Sequence, residues 1–139
     1  ILIGDVPEEV RTLVAVTKAC FFEGLKEAVA GKRIADIARA IQRHAESHGY
    51  GVVRELIGHG IGRDMHEPPD VPNFTTPGCG VKLQPGMVLC IEPMFNLGTH
   101  KVYVESDRWT VRTADGKKSA HFEHMVLIGE DRTEVLTSV

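Results

Sequence analysis

Three residues with metal-binding or acid–base side chains lie where predicted strands or tight loops meet. His59 has a glycine on each side, Glu92 directly follows the apolar run 87–91, and Glu123 lies within the segment 119–124. A buried, unpaired glutamate costs several kcal/mol, so Glu92 needs a cation or another partner. Because one imidazole and two carboxylates are typical of hydrolytic transition-metal sites, these residues predict a metal site. Separate salt bridges at the strand ends are an equally open alternative.

The segment 58–69 predicts a loop at this site. It holds two imidazoles seven residues apart, His59 and His66, with three glycines within five positions and two consecutive prolines. Glycine lets the backbone turn tightly or approach a ligand, and the prolines are expected to end any regular ladder. This setting favours a role for His66 toward the reacting group, and a histidine that caps a turn is the alternative.

Strand alternation is expected to bring the two glutamates together. If Phe122 and His124 face one side of a strand, Glu123 faces the other side. The end of the Glu92 segment is then a candidate neighbour on the partner strand. Both carboxylates would lie over one site.

Other candidates favour structural roles. His121 and His124 flank Glu123 and are possible ligands, but a half-exposed strand favours surface positions or positions behind the ligands. A histidine pair at 44 and 48 is spaced to hold a metal on a helix face, but a solvated face near the helix end fits better. Trp109, on general grounds, is more often a core residue than a pocket wall.

Helical periodicity dominates the first third of the chain. Apolar residues recur at three- and four-residue steps between Pro7 and about residue 30, which predicts an amphipathic helix that Asp5 caps and Gly31 ends. A second helix is predicted from residue 34, with Gly49 closing it. We expect the two helices to pack antiparallel.

The rest of the chain predicts β-structure, so the pattern indicates an α+β fold with two antiparallel helices on a mostly antiparallel sheet. Residues 71–86 are rich in proline and glycine and predict a surface excursion. Asp115-Gly116 between alternating segments indicates a hairpin. The predicted strands are 52–57, 87–91, 102–104, 109–113, 121–128 and 134–136.

Composition excludes several classes of protein. Hydrophobic residues at 42% and charged residues at 25% are ordinary for one compact globular domain, and the net charge of −3 does not favour nucleic-acid binding. No apolar run approaches the roughly 20 residues that span a bilayer. Cys20, Cys79 and Cys90 are odd in number and widely spaced, which fits a reducing, cytoplasmic setting better than a disulfide framework.

Three ordered motifs resemble those of type I methionine aminopeptidases of the bacterial form. The resemblance covers essentially the whole chain, including the two predicted helices and the strand that follows Trp109. Its motifs are Gly58-His59-Gly60-Ile61-Gly62 followed by His66-Glu67-x-Pro69, then Pro85-Gly86-Met87 leading into Ile91-Glu92-Pro93-Met94, and then Ser119-Ala120-x-Phe122-Glu123-His124.

The resemblance implies a pita-bread fold, in which two pseudo-symmetric α+β halves hold two divalent ions between them, namely Co, Mn, Fe or Zn. In that family five residues hold the metals, and His59, Glu92 and Glu123 match three of them. Glu123 corresponds to the bridging carboxylate, and the other two correspond to ligands of one ion. The remaining ligands are aspartates of an amino-terminal half, which has no counterpart in this chain.

Residues 1–139 are thereby expected to be the carboxy-terminal catalytic half of a methionine aminopeptidase domain, with the missing amino-terminal half as partner. The chain begins Ile1-Leu2-Ile3 without an initiator Met, in a segment that resembles the end of a strand. Two ions about 3.5–4 Å apart need carboxylates from both sides to offset their repulsion. The 139-residue chain alone is expected to be inactive or nearly so.

The implied reaction is metal-dependent hydrolytic removal of the N-terminal methionine from nascent proteins and peptides. Glu92 matches the family's proton shuttle, and His66 matches the histidine that hydrogen-bonds the substrate carbonyl. Met65 and Trp109 match positions that line the methionine pocket, where thioether–aromatic contact is favourable. His121 stands where the family often carries Gln, which is expected to affect hydrogen bonding behind the metal ligands rather than the reaction.

Two other functions are compatible with the same fold. A proline-specific peptidase, aminopeptidase P or prolidase, shares the histidine and glutamate ligands, although the loop 71–74 and the short tail resemble the methionine enzyme more. A non-catalytic pita-bread protein that binds partners is the other alternative. Such proteins usually lose ligands, whereas this chain keeps all three that are expected in its half.

Overall fold

The computed structural model describes residues 1–77 and 80–138 of the chain. The helices are α1 (Glu8–Glu27) and α2 (Ile34–Ser47). The strands in the described ranges are β1 (Gly51–Val52), β2 (Gly58–Gly60), β3 (Glu67–Val71), β4 (Val88–Ile91), β5 (Met94–Asn96), β6 (Val102–Val104), β7 (Val111–Thr113), β8 (Ser119–His121), β9 (His124–Ile128) and β10 (Thr133–Val135).

Both predicted helices form, and each buries one apolar face. Leu13 and Phe21 of α1 and Ile37 and Ile41 of α2 are fully buried in one hydrophobic cluster. The two helices pack directly against each other, while α1 also contacts β5 and β8 and α2 contacts β1. No helix within the described residues is long and apolar enough to cross a bilayer.

The helix ends differ in part from the prediction. Asp5 does not cap α1, because Pro7 occupies the N-cap position and the Asp5 carboxylate lies 3.5 Å from the guanidinium of Arg11. Gly31 has φ of 91° but lies beyond the end of α1, in the turn between the helices. Gly49 follows the C-cap of α2 with φ of 75°, as predicted.

The described strands form three sheets in which every pairing is antiparallel. A five-stranded sheet has the order β10-β9-β4-β2-β3, a three-stranded sheet has the order β1-β5-β8, and β6 pairs with β7. Side chains of β4 and β9 alternate between two faces. One face contributes residues 89, 91, 126 and 128 to the hydrophobic cluster beneath the helices. The α+β class with helices on mostly antiparallel sheets is therefore confirmed.

Several predicted strands are wrong because pairing partners lie far away in sequence. Of the segment 52–57 only Val52 is in a strand. Asp115-Gly116 does not join a hairpin, since β7 pairs with the preceding β6 and β8 pairs with β5. The predicted strand 121–128 is interrupted at residues 122–123, and its two parts, β8 and β9, belong to different sheets.

The prolines of the predicted loop do not end the ladder. Pro68 and Pro69 lie within β3, which is an edge strand of the five-stranded sheet. An edge strand tolerates proline because its missing N–H need not face a neighbour. Segment 58–71 is thus a β2–β3 hairpin, and the predicted loop is confined to its tip. The predicted surface excursion is buried at its start, up to Asn73, and includes Gly78 and Cys79, which lie outside the described residues.

The glycines on either side of His59 allow close strand packing. A Cβ at Gly58 would lie well inside van der Waals distance of the Cys90 carbonyl oxygen on β4. At Gly60 it would meet the Pro68 carbonyl oxygen on β3 in the same way. The backbone on both sides of β2 leaves no room for a side chain, so the glycines fix the position of His59 between two strands.

Gly58→Ala is expected to lower the free energy of unfolding by about 1–3 kcal/mol, because the methyl group can be accommodated only by moving a backbone carbonyl. The matched control is Gly62→Ala at the hairpin tip, where the new Cβ would meet only the Glu67 carboxylate at the end of a flexible side chain. Urea unfolding of the two variants measures the difference. Equal losses would show that close strand packing does not explain the glycines.

Candidate metal centre

The register of β4 with β9 places the predicted ligands on one face. His59 pairs with Cys90, and Cys90 pairs with Met125. Because side chains two residues apart share a face, Glu92 lies on the face of Cys90 and Glu123 on the face of Met125. The two glutamates and His59 therefore project from the sheet surface opposite the helices.

A shared break in the strands brings the glutamates next to each other. The last pair of the five-stranded sheet is Ile91 with His124, and the first pair of the neighbouring sheet is Met94 with His121. Residues 92–93 lie opposite residues 122–123 between these pairs. The expected proximity of Glu92 and Glu123 follows from this shared passage of both segments from one sheet to the other.

Two imidazoles contact the Glu92 carboxylate, one at each oxygen. His59 Nε2 lies 3.4 Å from Oε1, and His121 Nε2 lies 3.4 Å from Oε2. One ligand atom from each of Glu92, His121 and Glu123 lies within 4.8 Å of the others. The side chains of His59 and Glu92 are only 14% and 13% exposed, whereas that of His121 is 48% exposed.

The backbone sets the orientation of the His59 ring. Its Nδ1 lies 2.9 Å from the Gly60 carbonyl oxygen, a distance at which the Nδ1–H donates a hydrogen bond. The tautomer is assigned from this contact, because an oxygen acceptor requires a donor. Nε2 is then left with a free lone pair directed toward Glu92. A histidine that ligates a metal is typically held in this way.

The three predicted ligands line one cleft of about 540 Å³ together with His66 and Met65. The His66 ring centroid lies 4.3 Å from that of His59. His66 is exposed, and Met65 is 69% exposed. The structure thus brings together five of the six residues predicted for the site.

Trp109 is the sixth, and it lies elsewhere. It is 87% exposed on the turn between β6 and β7 and does not line the cleft formed by the described residues. The general expectation that Trp109 is a core residue is therefore wrong. The backbone N–H of Trp109 donates to the Asp107 carboxylate, which holds the turn.

Charge and burial at the cleft favour nitrogen and oxygen ligands. Burial raises the pKa of the Cys90 thiol to about 11, with a further contribution from Glu123 and Glu92. A protonated thiol is a poor metal ligand. The pKa of His121 is raised by its polar contact with Glu92, against desolvation, and further by the negative charges of Glu92 and Glu123. The donors that remain are imidazole nitrogen and carboxylate oxygen, which suit a first-row divalent ion.

Comparison with known proteins identifies a metallopeptidase family. Residues 1–130 match metallopeptidase family M24. The chain belongs to this family. It is 52% identical over 135 residues to a methionine aminopeptidase of Clostridium acetobutylicum, which covers 97% of this chain and 54% of that protein.

Solved structures show the same relationship. A methionine aminopeptidase from Thermotoga maritima matches with a TM-score of 0.96 and 43% identity, over 100% of this chain and 56% of that one. This M24 chain therefore spans about half the length of the relatives it matches. A prolidase from Pyrococcus furiosus matches with a TM-score of 0.77 at 21% identity, over 100% of this chain and 35% of that one. At that identity the likeness shows a shared fold only. The predicted resemblance to methionine aminopeptidases is confirmed.

The aromatic neighbours of Glu123 anchor its strand in this M24 chain. Phe122 and His124 have ring centroids 5.0 Å apart, and both rings contact Phe21 of α1. His124 Nδ1 also lies 2.9 Å from the Thr137 hydroxyl. Glu123 lines the cleft as expected, and His124 also lines it, so the two residues are not fully separated between opposite faces.

Asn73 supports the site and was missed by sequence reasoning. It is fully buried, and its Nδ2 donates a 3.0 Å hydrogen bond to the Glu92 backbone carbonyl. Its Oδ1 has no hydrogen-bond partner within the described parts of the chain. The prolines and glycines around Asn73 suggested a surface excursion. The only signal for its burial was its position directly after Val71 and Pro72.

Asn73→Ala is expected to cost about 1–3 kcal/mol of stability, because the Glu92 carbonyl loses its buried donor. Divalent-metal affinity should also fall about 10–100-fold, as is typical when a group behind a ligand is removed. Urea unfolding and Mn²⁺ calorimetry measure the two effects.

Asn96→Ala is the matched control. Asn96 is equally buried and has an unpartnered Oδ1 in the described structure, but its Nδ2 donates to Thr99 on the three-stranded sheet side. We expect a similar stability loss with unchanged Mn²⁺ affinity. An equal loss of affinity in both variants would assign the effect to general loosening of the fold.

Proposed function

We propose that this chain is the carboxy-terminal half, over residues 1–139, of a methionine aminopeptidase that removes the N-terminal methionine from nascent proteins and peptides. The observation that carries the proposal is the convergence of His59, Glu92 and Glu123 on one cleft in a chain of the M24 family. The curated relatives with this activity, at 52% identity in the first case, support it.

His59, Glu92 and Glu123 are the proposed ligands for divalent ions, two in number and drawn from Co, Mn, Fe or Zn. Such ions, when bound, activate a water molecule as the nucleophile and polarise the scissile carbonyl. The ligand roles are supported by the two imidazole nitrogens that lie 3.4 Å from the Glu92 carboxylate and by the presence of all three residues in one cleft. Proton transfer and substrate binding are assigned to side chains of this chain, Glu92 and His66 among them.

Glu92 is the proposed proton shuttle. Its carboxylate is largely buried, and an imidazole nitrogen lies 3.4 Å from each of its two oxygens. A carboxylate held in this way accepts a proton from the attacking water and passes it to the leaving amine. A fixed position matters because proton transfer needs hydrogen-bond distance at the moment of reaction.

His66 and two apolar side chains are proposed to bind the substrate. The exposed His66 ring beside His59 is positioned to donate a hydrogen bond to the substrate carbonyl, which stabilises developing negative charge. Met65 offers a thioether at the cleft for the methionine side chain. Trp109 is proposed to complete that pocket in the whole enzyme, because an exposed tryptophan is available to a substrate or a second half.

The partner required for activity is proposed to be an amino-terminal half. The chain spans about half the length of the methionine aminopeptidases it matches, with 54% and 56% of two of them covered. The two aspartate ligands and a further substrate-binding histidine are assigned to that half. The whole enzyme is proposed to work in the cytoplasm, where nascent chains appear.

The alternatives have weaker support. The prolidase likeness concerns the fold only, at 21% identity. A non-catalytic binding protein has no need for two glutamates held together in a cleft, an arrangement that costs energy without a cation.

Glu92→Gln in the full-length protein is expected to lower kcat about 10²–10⁴-fold, because the amide cannot accept and return a proton. Glu134→Gln on the exposed face of β10 is the control and should retain full activity. Release of methionine from the tripeptide Met-Ala-Ser measures both. A Glu92→Gln enzyme that keeps normal kcat would remove the shuttle role.

Substrate choice and dependence on the other half are tested together. The full-length protein should cleave Met-Ala-Ser and leave a Xaa-Pro dipeptide intact, while the 139-residue chain should be nearly inactive on both. Adding the amino-terminal half in trans should restore cleavage of Met-Ala-Ser. High activity of the 139-residue chain alone would contradict the proposal, and preference for Xaa-Pro would favour the prolidase alternative.

A further inference from the structure

His121 lies at a distance from Glu92 that a hydrogen bond does not explain well. Charge-assisted hydrogen bonds between nitrogen and oxygen are about 2.7–2.9 Å long. The His121 Nε2 to Glu92 Oε2 distance is 3.4 Å. Two donors bound to one ion at about 2.1 Å each lie about 3.0–3.4 Å apart when the angle between them is about 90–110°. The observed distance fits two ligands of one ion.

A third donor completes the group. Ligand atoms of Glu92, His121 and Glu123 lie within 4.8 Å of one another. His59 contacts the other oxygen of Glu92. The compact set is therefore one imidazole and two carboxylates from the strand crossing at residues 92–93 and 121–123.

The charges of this group need a cation. Among the described residues, the side chains that lie within 4.0 Å of the Glu92 carboxylate as possible ion-pair partners are His59 and His121, and no lysine or arginine pairs with either glutamate. Glu92 is largely buried and Glu123 is exposed, and the neighbouring carboxylates repel each other. A divalent ion would neutralise both at once. The half-exposed side chain of His121 leaves the group open to ions from solvent.

We propose that His121 is an additional metal ligand and that, with Glu92 and Glu123, it holds one divalent cation using this chain alone. The nitrogen and oxygen donors select Zn²⁺, Co²⁺ or Mn²⁺ over Ca²⁺. The inference rests on the proposed function only in that the cleft is a metal site. It adds that one ion is retained without residues from any other half.

The test uses the 139-residue chain with ¹⁵N-labelled histidine and Zn²⁺ alone as the probe. Ring-nitrogen spectra resolve which of the seven histidines coordinate the ion. We expect the first equivalent of Zn²⁺ to shift Nε2 of His121 into the range of a metal-bound nitrogen. His121→Gln should remove that signal and lower Zn²⁺ affinity, measured by calorimetry, by at least about tenfold.

His48→Gln is the matched control for loss of one imidazole. His48 is exposed at the end of α2, and its ring lies 4.9 Å from that of His44, so the substitution also removes any ion held by this helix pair. Zn²⁺ affinity and the His121 signal should be unchanged. Circular dichroism of each variant confirms that it is folded before titration.

Three results would overturn the inference. The first is a His121 nitrogen that does not shift while affinity falls, which would make His121 a positioning residue for Glu92. The second is uptake that depends on His48 and not on His121. The third is Zn²⁺ binding that requires Glu92 and Glu123 but is unchanged in His121→Gln, which would leave the proposed function intact. If Zn²⁺ still binds with unchanged affinity in both Glu92→Gln and Glu123→Gln, the proposed function is contradicted as well.

Discussion

The enforced proximity of two carboxylates is the constraint on which the rest of this structure depends. Glu92 and Glu123 leave neighbouring strands at the point where both cross from one sheet to the other, so backbone pairing holds them together regardless of their repulsion. Like charges in a partly buried cleft are unfavourable. The backbone hydrogen bonds and the packed core beneath the strands must offset that cost, which a bound cation would convert into a favourable interaction.

The opposite face of the same strands supplies that offset. Leu89 and Ile91 on β4 and Val126 on β9 are fully buried against the helices, whereas their neighbours in sequence line the cleft. Each such aliphatic side chain contributes about 1.5–3 kcal/mol when buried. Period-2 alternation therefore couples the core to the site, because core residues 89, 91 and 126 each have a sequence neighbour, at position 90, 92 or 125, that lines the cleft. A one-residue slip in register would place the glutamates in the core.

Local pattern was sufficient for the parts of the fold that depend on near neighbours. Both helices and β4 follow from apolar spacing, and Glu123 lies at the cleft as expected, although His124 lines it as well. Pairing choices were harder, because Asp115-Gly116 forms a good turn whichever strands it follows and the partners of β7 and β8 are selected by tertiary contacts. The hydrogen bond from Asn73 to Glu92 spans 19 residues. A hydrogen bond between such distant residues leaves no periodic pattern in the sequence, so the burial of Asn73 could not be predicted.

Metal binding and catalysis make different demands on this chain. Ligand atoms need only fixed positions, which the strand crossing provides within the chain. Substrate binding needs enclosure, because burying a methionine side chain contributes about 1.5–3 kcal/mol only when walls exclude water from it. Met65 and Trp109 are 69% and 87% exposed, and neither supplies a closed wall here. Electrostatic stabilisation in the transition state is likewise weak in a cleft open to water. Under the proposed function, a second half contributes enclosure as much as ligands, so that an ion held by this chain alone would remain catalytically ineffective.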